Sequence, residues 1–280
     1  MPELPEVETV ANGVHERVQG QRIATVWLGD KPEPLKSSAE LIARTLTGSR
    51  IDRVHRVGKT VVFDLETSAG QSAQFLVHLG MTGRLLVSQP EVPVPPHTHC
   101  ILTLEAGRLQ TPVREVRFAD ARRFGRLSVV LPGPLGAGYE GPGREPLTIS
   151  LAEFGALFRG RRTPIKAALL NQSLLHGVGN IYADESLFRA GIRPRRLAGR
   201  LSRAELARLH TALQQVLRNA IALGGSSVSD YVDADGVKGF FQLEHRVYRR
   251  TGQPCLVCQS PIRRVLLAGR GTHFCSVCQR

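Results

Sequence analysis

His176-Gly177-Val178-Gly179-Asn180-Ile181-Tyr182-Ala183-Asp184-Glu185-Ser186-Leu187-Phe188 is the stretch on which the architecture turns. A helix opened by Thr163-Pro164 runs through Leu169 and Leu170, is broken by His176–Asn180, and resumes over Ile181–Phe188 before Gly191. Upstream, Ser150-Leu151-Ala152-Glu153 is a capping box ahead of Phe154, Leu157 and Phe158. Downstream, Ser202-Arg203-Ala204-Glu205 starts a long helix bearing Leu206, Leu209, Leu213 and Leu217, which Gly224-Gly225 ends. This half of the chain is therefore helical. Gly177–Asn180 puts backbone amides and an Asn side chain at a helix N-terminus, an arrangement that accepts anions. Taken alone, a glycine turn between helices is mostly just a turn.

The flanking segments give that turn a partner. Cys255-x2-Cys258, sixteen residues, then Cys275-x2-Cys278 has the spacing of a tetrahedral four-thiolate zinc site. Four thiolates leave no coordination position for water, so the zinc is structural; a redox dithiol pair is the alternative. Residues 236–280 carry eight Lys or Arg against one acid, Glu244, and so supply +7 of a formal net charge of +13. Such an excess suits a polyanion, with nucleic acid the first candidate. Arg270, near the turn of the cysteine segment and flanked by glycines, suits a phosphate contact, and Asn180 becomes a second clamp.

Toward the N-terminus the periodicity changes. Short apolar runs at Ile23–Leu28, Ile51–Val57, Thr60–Leu65, Gln74–Leu79, Arg84–Val87, Cys100–Leu104, Val113–Phe118 and Arg126–Leu131 read as strands of an antiparallel sandwich or barrel, with one helix at Ser38–Leu46. Nine of the fifteen residues in Pro132–Pro146 are Pro or Gly, which marks an interdomain connection. A short strand at Phe241–Tyr248 follows a polar loop at Ser226–Gly239. The expected organisation is an α+β chain: an N-terminal antiparallel β-sandwich domain with flanking helices over 1–131, a linker over 132–147, a helical domain with the loop over 148–240, and the zinc ribbon over 241–280.

The first residues, Met1-Pro2-Glu3-Leu4-Pro5-Glu6-Val7-Glu8-Thr9, carry the chemistry. Loss of Met1 would leave Pro2 as a secondary amine, partly neutral near physiological pH because an α-amino group titrates near ~8. Its adduct with a sugar C1′ can become an iminium, an electron sink that makes β-elimination easy. Glu3 and Glu6 supply carboxyls for acid and base steps. Pro5 suits a first helical turn, and Val7, Val10, Val14 and Val18 recur at helical spacing. An acidic helix start with proline at N1 is the plain alternative, and these residues alone leave both open.

This N-terminus resembles that of the bacterial formamidopyrimidine-DNA glycosylases, enzymes that excise oxidised purines; Leu4 suits that branch, where the sister endonuclease VIII branch usually has Gly. His176–Phe188 is similar to the helix–two-turn–helix signature of the same family, whose Asn binds backbone phosphate. Lys59, after Gly58, matches a family lysine that contacts DNA near the lesion. Met81 in His78-Leu79-Gly80-Met81-Thr82-Gly83, and Arg122 and Phe124 in Asp120-Ala121-Arg122-Arg123-Phe124-Gly125, resemble an inserted trio that fills the gap left by a flipped base. Ala121 stands where the family text has Pro. The loop Gly224–Gly239 resembles a segment that folds over the extruded purine.

The resemblance implies a base excision repair glycosylase and abasic-site lyase acting through Pro2, with Glu3 protonating the opening sugar and Glu6 supporting it. The strand would be cut by β,δ-elimination. Lys59, His78, Asn180 and Arg270 would hold phosphates, and the DNA would lie between the two domains. The implied partner is double-stranded DNA carrying 8-oxoguanine, formamidopyrimidines or abasic sites, bound by a monomer. Two rivals stay open: an endonuclease VIII-like enzyme for oxidised pyrimidines, and a non-catalytic zinc-ribbon protein that binds damaged DNA.

The start of the chain, with Glu3, Glu6 and Glu8 and no apolar core behind them, does not read as a signal peptide, and no run reaches the ~18 apolar residues of a membrane span. With the paired cysteines this places the protein in a reducing bacterial cytoplasm, associated with the nucleoid through DNA. Cys100 reads as a buried small hydrophobe, and His97 and His99 as structural. Asp233-Ala234-Asp235-Gly236 lacks the spaced ligands of a calcium loop. Serine-nucleophile elbows, phosphate loops and zinc-protease motifs do not occur.

Overall fold

A computed structural model describes residues 1–105, 114–131, 138–227 and 231–280. Val113 of one expected strand, residues 132–137 of the linker and residues 228–230 of the loop lie outside the described residues. The chain divides into two compact units, Met1–Glu140 with Gly224–Gly239, and Gly141–Leu223 with Phe240–Arg280.

In the first unit, α1 (Leu4–Val18) is followed by β1 (Ile23–Leu28), α2 (Ala39–Leu46), β2 (Arg50–Val57), β3 (Thr60–Glu66), β4 (Ser72–His78), β5 (Arg84–Ser88), β6 (Thr98–Leu104), β7 (Glu115–Ala119) and β8 (Arg126–Val130). The strands make two antiparallel four-stranded sheets, β1-β6-β7-β5 and β2-β3-β4-β8. The strand positions match the sequence expectation to within two residues at each end, because alternating burial and β-branched content mark them directly. The valine stripe of α1 is fully engaged: Val7, Val10, Val14 and Val18 join Ile51, Phe63, Phe75 and Phe118 in one core. Each buried aliphatic there contributes roughly 1.5–3 kcal/mol relative to exposure. Ser38 caps α2, its Oγ accepting from Leu41 N at 3.2 Å. Cys100 sits in this core at 2% exposure, and burial pushes its thiol up to about 12.

The segment Gly224–Gly239, expected with the helical domain, packs with this unit instead. Ser226 N donates to Glu6 Oε1 at 2.8 Å, Val87 N donates to Ala234 O at 2.9 Å, and Arg17 pairs with Asp235. Asp233 Oδ1 accepts from Asp235 N and Val237 N at 3.0 and 2.8 Å, shaping the loop's turn.

The second unit contains α3 (Leu151–Phe158), α4 (Ile165–Leu170), α5 (Asn180–Arg189), α6 (Arg203–Ala222), β9 (Arg263–Leu267) and β10 (Arg270–Phe274). Both expected capping boxes are formed, at Ser150/Glu153 and Ser202/Glu205. The break before α5 falls at Gly179, its N-cap. The strand expected at Phe241–Tyr248 is not formed: residues 241–244 make a 3-10 turn. Three successive amides, Arg246 N, Val247 N and Tyr248 N, donate at 2.9–3.0 Å to the buried Glu185 carboxylate, so they curl around one acceptor rather than face a strand. Phe241 is buried against Tyr182, ring centroids 5.4 Å apart. Among the described residues no helix is long and apolar enough to cross a membrane.

Candidate functional site

In the first unit the expected residues gather at one end of the sheet β2-β3-β4-β8. Pro2 is buried immediately before α1, and Glu3 and Glu6 are 4% and 1% exposed. Glu6 is held at both oxygens: Oε2 accepts from Glu3 N at 2.7 Å, and Oε1 from Ser226 N at 2.8 Å. Tyr231 OH donates to Glu6 O at 3.3 Å, and burial raises the tyrosine pKa. Two carboxyls at the positive end of the α1 dipole are costly to bury, and the dipole and amide donors offset part of that cost.

Lys59 follows Gly58 in the β2–β3 turn, one residue before β3 begins. Arg56 fixes that turn to α1: its Nε donates to Glu8 Oε2 at 2.6 Å and its Nη1 to Gly58 O at 3.1 Å. Thr60 pairs in register with His78, the last residue of β4, which pairs with Arg126 of β8. His78 is thereby close to two cations, and its pKa falls below the usual value through burial first, then the Arg126 and Lys59 charges. In the neutral ring Nδ1 accepts from Gly80 N at 3.1 Å.

Beyond β4 the two turns carrying Met81, Arg122 and Phe124 lie against each other. A Cβ on Gly80, which has φ +64°, would fall 2.6 Å from Gly125 N and 2.6 Å from Phe124 C, so the contact demands glycine. Met81 is 39% and Phe124 53% exposed, and the Arg122 guanidinium sits 4.8 Å from the Phe124 ring centroid. Large apolar side chains on a tight, polar-backed platform suit insertion rather than core packing.

In the second unit, Asn180 begins α5 and Arg270 begins β10. Arg270 is exposed; Ala268 and Gly269 before it have φ 49° and 71°, the left-handed pair of a tight hairpin turn. Asn180 Nδ2 donates to Gly271 O at 3.0 Å, tying the helix start to the residue after Arg270. The same carbonyl accepts from Lys166 Nζ at 3.1 Å. Lys166 is buried, pairs with Asp184 at 2.7 Å and donates to Thr272 Oγ1 at 2.9 Å; Asp184 Oδ2 accepts from His273 N at 2.8 Å. This ion pair, like the Glu8–Arg56 pair, has no counterpart in the sequence expectations. The one signal for it is a lone lysine in the apolar run Ile165-Lys166-Ala167-Ala168-Leu169-Leu170. Gly177 N, expected to face an anion, donates to Gln172 Oε1 at 2.9 Å.

The four ribbon sulfurs all lie within 4.8 Å of one another, with Cys255···Cys278 at 3.9 Å and Cys258···Cys275 at 3.4 Å. Zn–S bonds of ~2.3 Å in tetrahedral geometry require sulfurs about 3.8 Å apart, so the four thiols fit one structural zinc ion. Cys255 and Cys275 are buried with Val247, Ile262 and Phe188, which anchors the ribbon on its inner side.

Comparison with known proteins covers almost all of the chain. Residues 1–127 match the family model for the formamidopyrimidine-DNA glycosylase N-terminal domain. Residues 142–232 match its H2TH domain, and 252–280 a zinc finger found in FPG and IleRS. The formamidopyrimidine-DNA glycosylase of Solibacter usitatus is 44% identical over 280 residues, with both chains fully covered. The crystal structure of the MutM (Fpg) protein from Thermus thermophilus matches with a TM-score of 0.82 at 41% identity, covering 99% of this chain and 98% of that one. Wild-type Lactococcus lactis Fpg (MutM), solved with N7-benzyl-Fapy-dG DNA, matches with a TM-score of 0.86 at 32% identity and full coverage of both. The N-terminal, H2TH and zinc-finger matches follow one another along nearly the whole sequence, and the chain belongs to the formamidopyrimidine-DNA glycosylase family.

Proposed function

We propose that this chain removes oxidised purines, 8-oxoguanine and formamidopyrimidines, from double-stranded DNA and then cuts the strand at the abasic sugar. The observation that carries this reading is the pair of buried carboxyls, Glu3 and Glu6, on the helix start that follows the buried Pro2, with Glu6 held at both oxygens. Once Met1 is gone, the Pro2 nitrogen attacks C1′ of the flipped nucleotide and the base leaves. Glu3 donates a proton to the opening sugar, and Glu6 orients the helix start and relays protons. The resulting iminium draws electrons from C2′, so β- and then δ-elimination release both phosphates.

Around that centre, Met81, Arg122 and Phe124 fill the space left by the extruded nucleotide. Lys59 and His78 contact phosphates at the lesion, and Asn180 and Arg270 hold phosphates from the second unit. The loop Gly224–Gly239 covers the purine. The protein works as a monomer in the bacterial cytoplasm, and the zinc ion shapes the ribbon without taking part in the chemistry.

A second reading, excision of oxidised pyrimidines, draws on a solved complex of Lactococcus lactis Fpg with oxidised-pyrimidine DNA. Leu4 and the full-length loop favour purines. Single-turnover excision on matched duplexes decides: faster release of 8-oxoguanine than of thymine glycol is expected, and the reverse order would assign the pyrimidine role. Binding to both duplexes without release would leave a damage-binding protein.

A further inference from the structure

The turns bearing Met81 and Phe124 share a buried carboxylate that the chemistry above does not use. Asp120 is 1% exposed. Its Oδ1 accepts from Thr82 Oγ1 at 2.5 Å and from Arg122 N at 3.2 Å, and its Oδ2 accepts from Gly125 N at 2.7 Å. Thr82 Oγ1 in turn accepts from Arg122 N at 3.3 Å. The backbone of Asp120 is fixed as well: its N–H donates to His97 O at 2.9 Å, and His99 Nε2 donates to its carbonyl at 2.9 Å.

One carboxylate thus joins residues 82, 122 and 125, across the point where Gly80 meets Gly125. Hydrogen bonds to a buried charge are short, directional and costly to break, so neither turn can shift without the other. Ala121 lacks the ring that would set the φ of this turn, and the Asp120 bracket supplies rigidity in its place.

We propose that Asp120 and Thr82 are positioning residues for base extrusion: they lock the turn of Met81 to the turn of Arg122 and Phe124, so that the three side chains enter the duplex as one preorganised wedge. This rests on the wedge assignment made above. Neither residue touches the reacting atoms. Their contribution falls on the step in which the lesion leaves the stack, where misplacement of a wedge atom by about 1 Å can cost ~100-fold in rate.

Thr82→Val removes the hydroxyl at nearly constant shape, Thr82→Ser restores it, and Asp120→Asn removes one acceptor while keeping the volume. The assays are single-turnover release of 8-oxoguanine from duplex, stopped-flow fluorescence of 2-aminopurine beside the lesion, and cleavage of an abasic site in single-stranded DNA, which needs no wedge. Thr82→Val and Asp120→Asn are expected to slow both the fluorescence phase and duplex excision by ~10-fold or more, in the maximal single-turnover rate at saturating enzyme rather than in the enzyme concentration that half-saturates it. Single-strand abasic cleavage should stay within about twofold, and Thr82→Ser should recover the duplex rate.

Equal losses on duplex and single strand would reduce the bracket to a fold-stabilising contact and overturn the proposal, as would an unchanged duplex rate. Met81→Ala and Phe124→Ala separate the two levels. If they too leave the fluorescence phase untouched, the wedge assignment has failed. If they slow it while Thr82→Val does not, the bracket alone has failed.

Discussion

Replacing Lys166 by Met should detach the zinc ribbon from the helices of the second unit. The ammonium lies 2.7 Å from Asp184 Oδ1, and both side chains are at most 1% exposed. It also donates to Thr272 Oγ1 and Gly271 O on the ribbon strand β10. Methionine fills the volume but leaves the Asp184 carboxylate buried against the His273 ring and backbone amide, without its cation. Breaking one side of a buried pair costs about 3–5 kcal/mol, against a total stability of about 5–15 kcal/mol for a typical domain. With a urea dependence of about 1–3 kcal/mol per molar, the midpoint should fall by about 1–5 M. Removing both charges in Lys166→Met/Asp184→Asn should recover most of the loss, because Asn can still accept from His273 N. The assay is zinc release into a chromogenic chelator along a urea series. Emission from Trp27, the sole tryptophan, serves as the control because it belongs to the first unit. A Lys166→Met midpoint within about 0.3 M of the parent, or a double variant as unstable as the single one, would refute the reasoning.

Three further outcomes follow from the same geometry. Stripping zinc with a strong chelator, or Cys258→Ser, should abolish ribbon structure and weaken DNA binding at least ~100-fold in fluorescence anisotropy, while the sheets of the first unit keep their circular dichroism. Glu6→Gln sets an amide N–H₂ against the N–H of Glu3 or Ser226; single-turnover excision should fall ~100- to 1,000-fold in quench-flow, and a rate within about threefold of the parent would remove Glu6 from the mechanism. His245 is pushed down to about 4, by burial first and then by Arg249 and His273. With its folded pKa below the unfolded ~6.5, the unfolded chain binds more protons between those values, so stability present above pH ~6.5 is lost as pH falls toward the folded value. The loss should approach about 3 kcal/mol, and His245→Phe, which keeps the edge contacts to Phe241 and Tyr248, should show a correspondingly flatter stability profile in denaturant titrations at pH ~7 and ~4.5.

Much of this architecture is legible in the sequence because it is encoded locally. Valines at helical spacing, a proline in the first turn, two Ser-x-x-Glu caps and alternating apolar strands each point to their element without reference to distant residues. The cysteine spacing is equally local, and the four sulfurs converge as that spacing requires. What escapes depends on partners far along the chain. Residues 241–248 have strand-like composition, yet their amides are claimed by Glu185, some sixty residues earlier. The loop after α6 follows its helix in sequence but binds Glu6 and Val87 in space. Arg56 looks like one more surface charge until Glu8 and Gly58 are seen to hold it. Lys166 stands out only as a lone charge in an apolar run and Asp184 not at all, and only tertiary packing makes them a buried pair. Asp120 stands in plain view beside Arg122, but a carboxylate at a turn does not announce which second turn it will grip.

The central claim is that the N-terminal proline amine forms the covalent bond to the sugar. Borohydride reduction during reaction with a duplex carrying one 8-oxoguanine, followed by mass mapping of the cross-linked peptide, tests it most directly. The account predicts a reduced adduct on Pro2, dependent on removal of Met1. An adduct on Lys59 or another amine, or base release with no trapped species at all, would contradict it.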